Sequence, residues 1–316
     1  MDASGVLRQG LLQLSKSARM RDLIERAPLS RDVVRRFVAG DSTGDVVRVA
    51  ADLDLTGRTS TIDHLGEDTV ELGQAQATRD AYLSLLSDLG AAGLTQGGKV
   101  EVSLKLSALG QALPGEGSKI ALEHAREICQ AAANVGTTVT LDMEDHTTTD
   151  ATLETLGELR QDFPSVGAVL QAYLLRTEAD CRDLAHEGSR VRLCKGAYQE
   201  PESVAFQGKD DVDRSFVRCL KVLMAGQGYP MIASHDPRLV EIAGALAHKQ
   251  DRAASTYEYQ MLYGIRPEEQ KRIADRGDQM RVYLPYGHEW YGYLMRRMAE
   301  RPANTMFFLR SLMTKG

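Results

Sequence analysis

The sequence predicts an α/β protein built on a distorted (βα)8 TIM-like barrel, preceded by an N-terminal helical arm. Three observations predict it. From about residue 58 the chain alternates short β-rich runs with amphipathic helical patterns, and does so eight times. Its 316 residues, 43% apolar, suffice to bury one large core. No G-x-G-x-x-G and no P-loop follows any of the β-rich runs, so a dinucleotide-binding open sheet has no support.

Residues 1–45 form the expected arm, with helical pieces that break at Ala27-Pro28 and Gly40. The arm is rich in arginine, but Asp2, Asp22, Glu25 and Asp32 fit an organelle transit segment poorly. Residues 46–316 form the expected barrel. Its strands are RTSTID (58–63), KVEVSLKL (99–106), TTVTLDM (137–143), GAVLQAY (167–173), RVRLCKG (190–196), PMIASH (230–235), AASTYEY (253–259) and MRVYLPY (280–286). Helical patterns lie near 69–89, 119–134, 149–161, 177–186, 212–226, 237–248, 267–275 and 288–300, often introduced by Asp, Ser or Thr as caps.

Composition narrows the function. Lys and Arg number 38 against 44 Asp and Glu, for a net charge of −6, and no basic block is long enough to grip nucleic acid. The four cysteines are scattered without zinc-like spacing, which predicts a reduced, cytoplasmic protein. No apolar run approaches the ~18 residues of a membrane span, so no transmembrane segment is expected. The seven histidines form no H-x-H or H-E-x-x-H, so no metal site is expected either. A G-x-S-x-G elbow is missing, and Cys194 reads as core.

Barrel chemistry sits at the C-terminal ends of strands, and polar residues collect there: Lys105, Asp142, Gln171, Arg192, Lys195, Tyr198, Ser234, His235 and Tyr283. Any one of them suits a structural hydrogen bond or ion pair. Together they predict an electropositive mouth for an anionic cofactor or a carboxylate substrate. A lysine at a strand end also suits a Schiff-base lyase, with Lys105 or Lys195 as the amine. A non-enzymatic scaffold is the third reading. Near the chain end, YGYLMRRMAERPANT places Tyr293, Arg296, Arg297 and Glu300 on one helical stripe and Tyr291, Leu294, Met295 and Met298 on the opposite one. Periodicity alone leaves a solvated polar face and an anion clamp both open.

The ordered series SLKLSAL, LDMED, LQAYL, VRLCKGAY, ASHD, YEYQMLYG and YLMRRMAERPANT resembles the motifs of the proline dehydrogenase family over roughly residues 45 to 310. The resemblance implies an FAD enzyme that oxidises L-proline to Δ1-pyrroline-5-carboxylate by hydride transfer to flavin N5. Its electrons pass to a membrane quinone, with a peripheral place at the inner membrane face. It also implies that the last helix lies over the barrel mouth. Matched motif by motif, Lys105, Arg296 and Arg297 bind the substrate carboxylate, and Tyr198, Leu262, Tyr283 and Tyr293 wall the ring. Asp142 and Arg192 are the catalytic pair, Asp142 bracing the arginines near the amine and Arg192 near flavin N5. Met143, Gln171, Arg192, Lys195, Gly196, Ala197, Ser234 and His235 hold FAD, and Glu67 of the LGE segment gates the mouth by pairing with Arg296. Gln199 follows Tyr198 where two-function members carry Trp, and the chain has no room for an aldehyde dehydrogenase domain. A separate pyrroline-5-carboxylate dehydrogenase is therefore implied.

Overall fold

The computed structural model describes residues 30–67 and 69–300. Among these residues eight strands run parallel: β1 (Thr59–His64), β2 (Val100–Leu104), β3 (Val139–Leu141), β4 (Ala168–Gln171), β5 (Arg190–Cys194), β6 (Tyr229–Ala233), β7 (Glu258–Leu262) and β8 (Met280–Tyr286). Their hydrogen-bonded order is β3-β2-β1-β8-β7-β6-β5-β4, and the β1–β8 pairing curls the sheet on itself. One seam remains between β3 and β4. There a bridge joins Thr140 to Gly167, whose N–H donates to Val139 O at 2.8 Å while its carbonyl accepts from Leu141 N–H at 2.9 Å.

Alternation along the strands sorts the side chains between two environments. Ile62, Val102, Leu141, Leu170, Leu193, Ile232, Met261 and Leu284 all belong to the large apolar cluster between sheet and helices. Their neighbours Thr61, Glu101, Thr140, Arg192, Glu258, Gln260 and Arg281 hydrogen-bond to one another across the barrel. The interior is thus polar and ion-paired, where such barrels are usually filled by branched apolar side chains.

The described helices are α1 (Ser30–Phe37), α2 (Thr43–Asp54), α3 (Leu72–Ala91), α4 (Gly117–Asn134), α5 (Thr149–Asp162), α6 (Thr177–Leu184), α7 (Lys209–Ala225), α8 (Pro237–Lys249), α9 (Pro267–Asp275) and α10 (Trp290–Glu300). Two starts show why the sequence stops and starts there. Ser42 and Asp45 close a reciprocal capping box on α2, and Asp236 caps α8 with Pro237 in its first turn. The division expected at 45/46 falls inside α2. Residues 1–29 of the arm and residues 301–316, with the RPANT end of the last motif, lie outside the described residues.

The distortion of the barrel has a local cause. Helix α2 packs on the outside of β1 and β8, where the eighth barrel helix would otherwise stand, and α10 packs against α1 instead. Val34 and Phe37 of α1, Val38 just after it, Leu65 after β1, Ile265 after β7, and Tyr291, Tyr293, Leu294 and Met295 of α10 form a second apolar cluster over the mouth. Close approach needs glycine at one point: Gly264 has φ +73°, and a Cβ there would sit 1.8 Å from Arg36 O.

Seven strands lie close to their sequence positions, and the seventh is displaced. Ala254–Thr256, expected within the strand, form a 3-10 turn, and β7 begins only at Glu258. The turn closes through Thr256 N–H to Ala253 O at 2.9 Å. Glu258 is drawn into the barrel by Arg281, whose Nε lies 2.8 Å from Glu258 Oε1.

Candidate active site

A cavity of about 650 Å³ opens at the C-terminal ends of the strands, beneath α10. All seventeen residues expected to bind substrate or cofactor, act in catalysis or gate the mouth line it: Glu67, Lys105, Asp142, Met143, Gln171, Arg192, Lys195, Gly196, Ala197, Tyr198, Ser234, His235, Leu262, Tyr283, Tyr293, Arg296 and Arg297. Strand ends deliver most of them, while α10 delivers the last three from above. Of the two stripes expected on α10, the side chains of Met298 and Glu300 lie outside the described residues. Tyr293, Arg296 and Arg297 face the cavity, and Tyr291, Leu294 and Met295 bury themselves against α1 and its neighbours.

Lys105 is held by a carboxylate outside the expected set, Asp63. Its Nζ lies 2.7 Å and 2.6 Å from the two oxygens of Asp63, with Asp142 Oδ2 at 3.9 Å. Burial works against the ammonium, but Asp63, Asp142 and Glu67 outweigh it and hold its pKa above the ordinary lysine range. Lys105 therefore stays charged. The signal for Asp63 was present in the sequence, since it closes the RTSTID run at a strand end.

Arg192 and Tyr283 converge on Asp142. Arg192 Nη1 donates to Asp142 Oδ1 at 2.6 Å and to Ser103 Oγ at 3.1 Å, and the Tyr283 hydroxyl donates to Asp142 Oδ2 at 2.5 Å. The guanidinium stacks over the Tyr283 ring at 5.4 Å. Burial, then the charges of Asp142 and Asp63, push the phenol pKa well up, so Tyr283 remains a donor. Arg192 Nε also donates to Gln260 Oε1 at 2.6 Å. Gln260 lines the cavity too, and it was missed because the displaced β7 put it beyond the expected strand end.

On α10, Arg296 grips Glu67 with both terminal nitrogens, Nη1 to Oε2 at 2.9 Å and Nη2 to Oε1 at 2.5 Å. Burial opposes this charge and Glu67 outweighs it, so the Arg296 pKa is raised. Arg297 lies over the Tyr293 ring at 5.2 Å. The carboxylate that meets Arg296 is thus Glu67, while the oxygens of Asp142 serve Arg192 and Tyr283.

The opposite wall is carried by loops after β4, β5 and β6. Gln171 Nε2 donates to Glu144 O at 2.7 Å, and His235 Nε2 accepts from Leu262 N–H at 3.0 Å. Lys195 Nζ lies 2.5 Å from Asp213 and 3.4 Å from Asp236, which also engage Lys209 and Arg238. Gly196 has φ +109°, and a Cβ there would fall 2.3 Å from the Tyr173 ring, so only glycine lets the Lys195–Tyr198 segment turn into the cavity. Glu200 fastens the same segment by accepting from Tyr173 OH at 3.1 Å and His146 N–H at 2.9 Å.

Seven cationic side chains against four acidic ones line the cavity, so an entering anion meets a lining of net positive charge. Among the described residues no group of His, Cys, Asp and Glu is arranged to hold a metal ion.

Comparison with known proteins places the chain in a family. The family model described as proline dehydrogenase matches residues 46–310. Proline dehydrogenase 1 of Bacillus subtilis (strain 168) is 38% identical over 281 residues, covering 89% of this chain and 91% of that one. The proline dehydrogenase of Deinococcus radiodurans is 36% identical over 284 residues, covering 89% and 90%. Proline utilization A (PutA) from Bdellovibrio bacteriovorus, in a crystal structure inactivated by N-propargylglycine, superposes with a TM-score of 0.77 at 28% identity. That match covers 84% of this chain and 32% of the longer PutA polypeptide. With the family model spanning the barrel and the Bacillus and Deinococcus relatives matched over about nine-tenths of their length, the chain belongs to the proline dehydrogenase family and is an oxidoreductase of proline metabolism.

Proposed function

We propose that the protein uses bound FAD to oxidise L-proline to Δ1-pyrroline-5-carboxylate and passes the electrons to a membrane quinone, as the first step of proline degradation. A separate pyrroline-5-carboxylate dehydrogenase then completes the conversion to glutamate. The observation that carries this reading is the cavity itself. At about 650 Å³ it is far larger than one small amino acid requires, and it joins a cationic pocket under α10 to a second wall of strand-end loops. Lys195, Lys209 and Arg238, gathered by two aspartates, suit an anionic cofactor.

In this reading Met143, Gln171, Arg192, Lys195, Gly196, Ala197, Ser234 and His235 hold the cofactor. Arg296, Arg297 and the charged Lys105 clamp the substrate carboxylate, since two planar guanidinium groups fix its orientation as well as its charge. Tyr198, Leu262, Tyr283 and Tyr293 wall the pyrrolidine ring. The flavin, when bound, supplies the hydride acceptor. The protein's own part is to orient the ring, to favour the neutral amine through positive charge nearby, and to exclude water. Asp142 lies near the amine and fixes Arg192 and Tyr283. Glu67 closes the loop between β1 and α3 over the substrate by its pair with Arg296. Delivery to a quinone requires a peripheral encounter of this cytoplasmic protein with the inner membrane face. Among the described residues no helix is long and apolar enough to cross a membrane.

Anaerobic addition of L-proline to the purified protein should bleach a visible flavin spectrum. A colourless protein, or flavin bands that proline leaves unchanged, overturns the reading. At Lys105 the Schiff-base alternative meets the opposite electrostatics, because the surrounding carboxylates favour the ammonium over the nucleophilic amine.

A further inference from the structure

Below the cavity, the barrel interior carries a connected series of polar side chains that the proposed reaction leaves unused. Gln260 is buried and lines the cavity. Its Oε1 accepts from Arg192 Nε at 2.6 Å, and its Nε2 donates to Glu258 Oε1 at 2.5 Å. Glu258 in turn accepts from Arg281 Nε at 2.8 Å and from Tyr229 OH at 3.1 Å. Arg281 is anchored on Ser60 O at 2.9 Å and Gly98 O at 3.1 Å, at the base of the barrel.

The two ends of a glutamine amide differ only in what they donate or accept. A carboxylate paired with arginine only accepts, so Glu258 obliges Gln260 to turn its amino group downward. The amide oxygen then faces Arg192, which only donates. Arg192 is thus held along two edges of its guanidinium, Nε by Gln260 and Nη1 by Asp142 and Ser103. Held along one edge, the group could swing about its Cδ–Nε bond. Held along both, its plane is fixed against Tyr283.

We propose that Gln260, set by Glu258, is a positioning residue that fixes the Arg192 guanidinium at the cavity wall and so tunes electron acceptance there. The inference rests on the reading of this cavity as a flavin site. A Gln260→Met variant removes the acceptor for Arg192 Nε and leaves the Glu258–Arg281 pair in place. Glu258→Gln frees the amide to flip. Combining Glu258→Gln with Gln260→Glu exchanges the two groups and offers Arg192 a carboxylate.

The experiment compares these holoenzymes with the wild type by anaerobic stopped-flow reduction with L-proline, flavin absorbance bands and proline Kd. Loss of one charge-assisted hydrogen bond should slow reduction by Gln260→Met and Glu258→Gln about tenfold, with proline Kd within about twofold and the flavin bands shifted. The exchanged double variant should reduce faster than Glu258→Gln alone. A purely structural role would lower Tm in all of them without moving the bands or separating rate from Kd. Wild-type rate and bands in Gln260→Met overturn the proposal, and so does a double variant slower than both single ones. Should Glu258→Gln fail to fold, Gln260→Met decides the question alone. Failure of proline to bleach the wild-type protein would instead overturn the flavin reading.

Discussion

Replacing Glu67 with alanine should slow flavin reduction by L-proline while leaving flavin content unchanged. Glu67 and Arg296 meet through two parallel contacts of 2.9 Å and 2.5 Å, with side chains only 25% and 20% exposed. A charge-assisted hydrogen bond shielded from water contributes about 1.5–3 kcal/mol. A fully exposed ion pair contributes about 0–1 kcal/mol. Partial exposure puts this pair between them, at about 2 kcal/mol in favour of the closed loop, or about 30-fold in the closing equilibrium. A wild-type loop that rests mostly closed absorbs part of that loss, leaving a rate reduction of about tenfold. Anaerobic stopped-flow at saturating proline measures it directly. Glu67→Gln, which keeps one neutral acceptor, should fall between wild type and Glu67→Ala. A Glu67→Ala protein reduced as fast as wild type would refute the gate.

Three further outcomes can be measured. Arg296→Met and Arg297→Met should each lower kcat/KM for proline by roughly 2–4 kcal/mol of transition-state binding while retaining the flavin, and wild-type kcat/KM in both would remove the pair from the substrate site. Tyr283→Ser opens the ring wall and should relax discrimination against 4-hydroxyproline, because a pocket rejects an added hydroxyl mainly by shape. Unchanged selectivity would take Tyr283 out of that wall. His64 is held near pKa 4 by burial, with Lys105 and His288 adding to it, against 6.5 unfolded. The unfolded chain therefore binds this proton first, and stability present above about 6.5 is lost as pH falls toward 4. An NMR titration of the His64 ring with its midpoint near 6.5 would contradict the burial argument.

The alternation of strands and helices was legible because each is a local property: period-2 runs, period-3.6 faces and caps such as Ser42 and Asp236 are written within a few consecutive residues. The strand-end rule singles out Lys105, Asp142, Gln171, Arg192 and Tyr283 from sequence alone, since βα topology forces those ends to one face. The motif resemblance supplied Glu67, Leu262 and the arginines of α10. Partners were another matter. Lys105 meets Asp63 across 42 residues, Arg192 meets Gln260 across 68 and Arg296 meets Glu67 across 229, so each pair exists only once the barrel has closed in one register. A slip of one residue would turn Asp63, Arg192 and Gln260 to the other face of their strands. Strand β7 shows how little local signal there is to fix that register: Ala254–Thr256 look extended in sequence, yet the strand starts where Glu258 finds Arg281 inside the barrel. The orientation of α10 was equally undetermined, because its arginine stripe would serve as a solvated face on any helix packed beside the barrel. It lines the cavity because α2 occupies the outer position on β1 and β8, and α1 offers an apolar surface above the mouth.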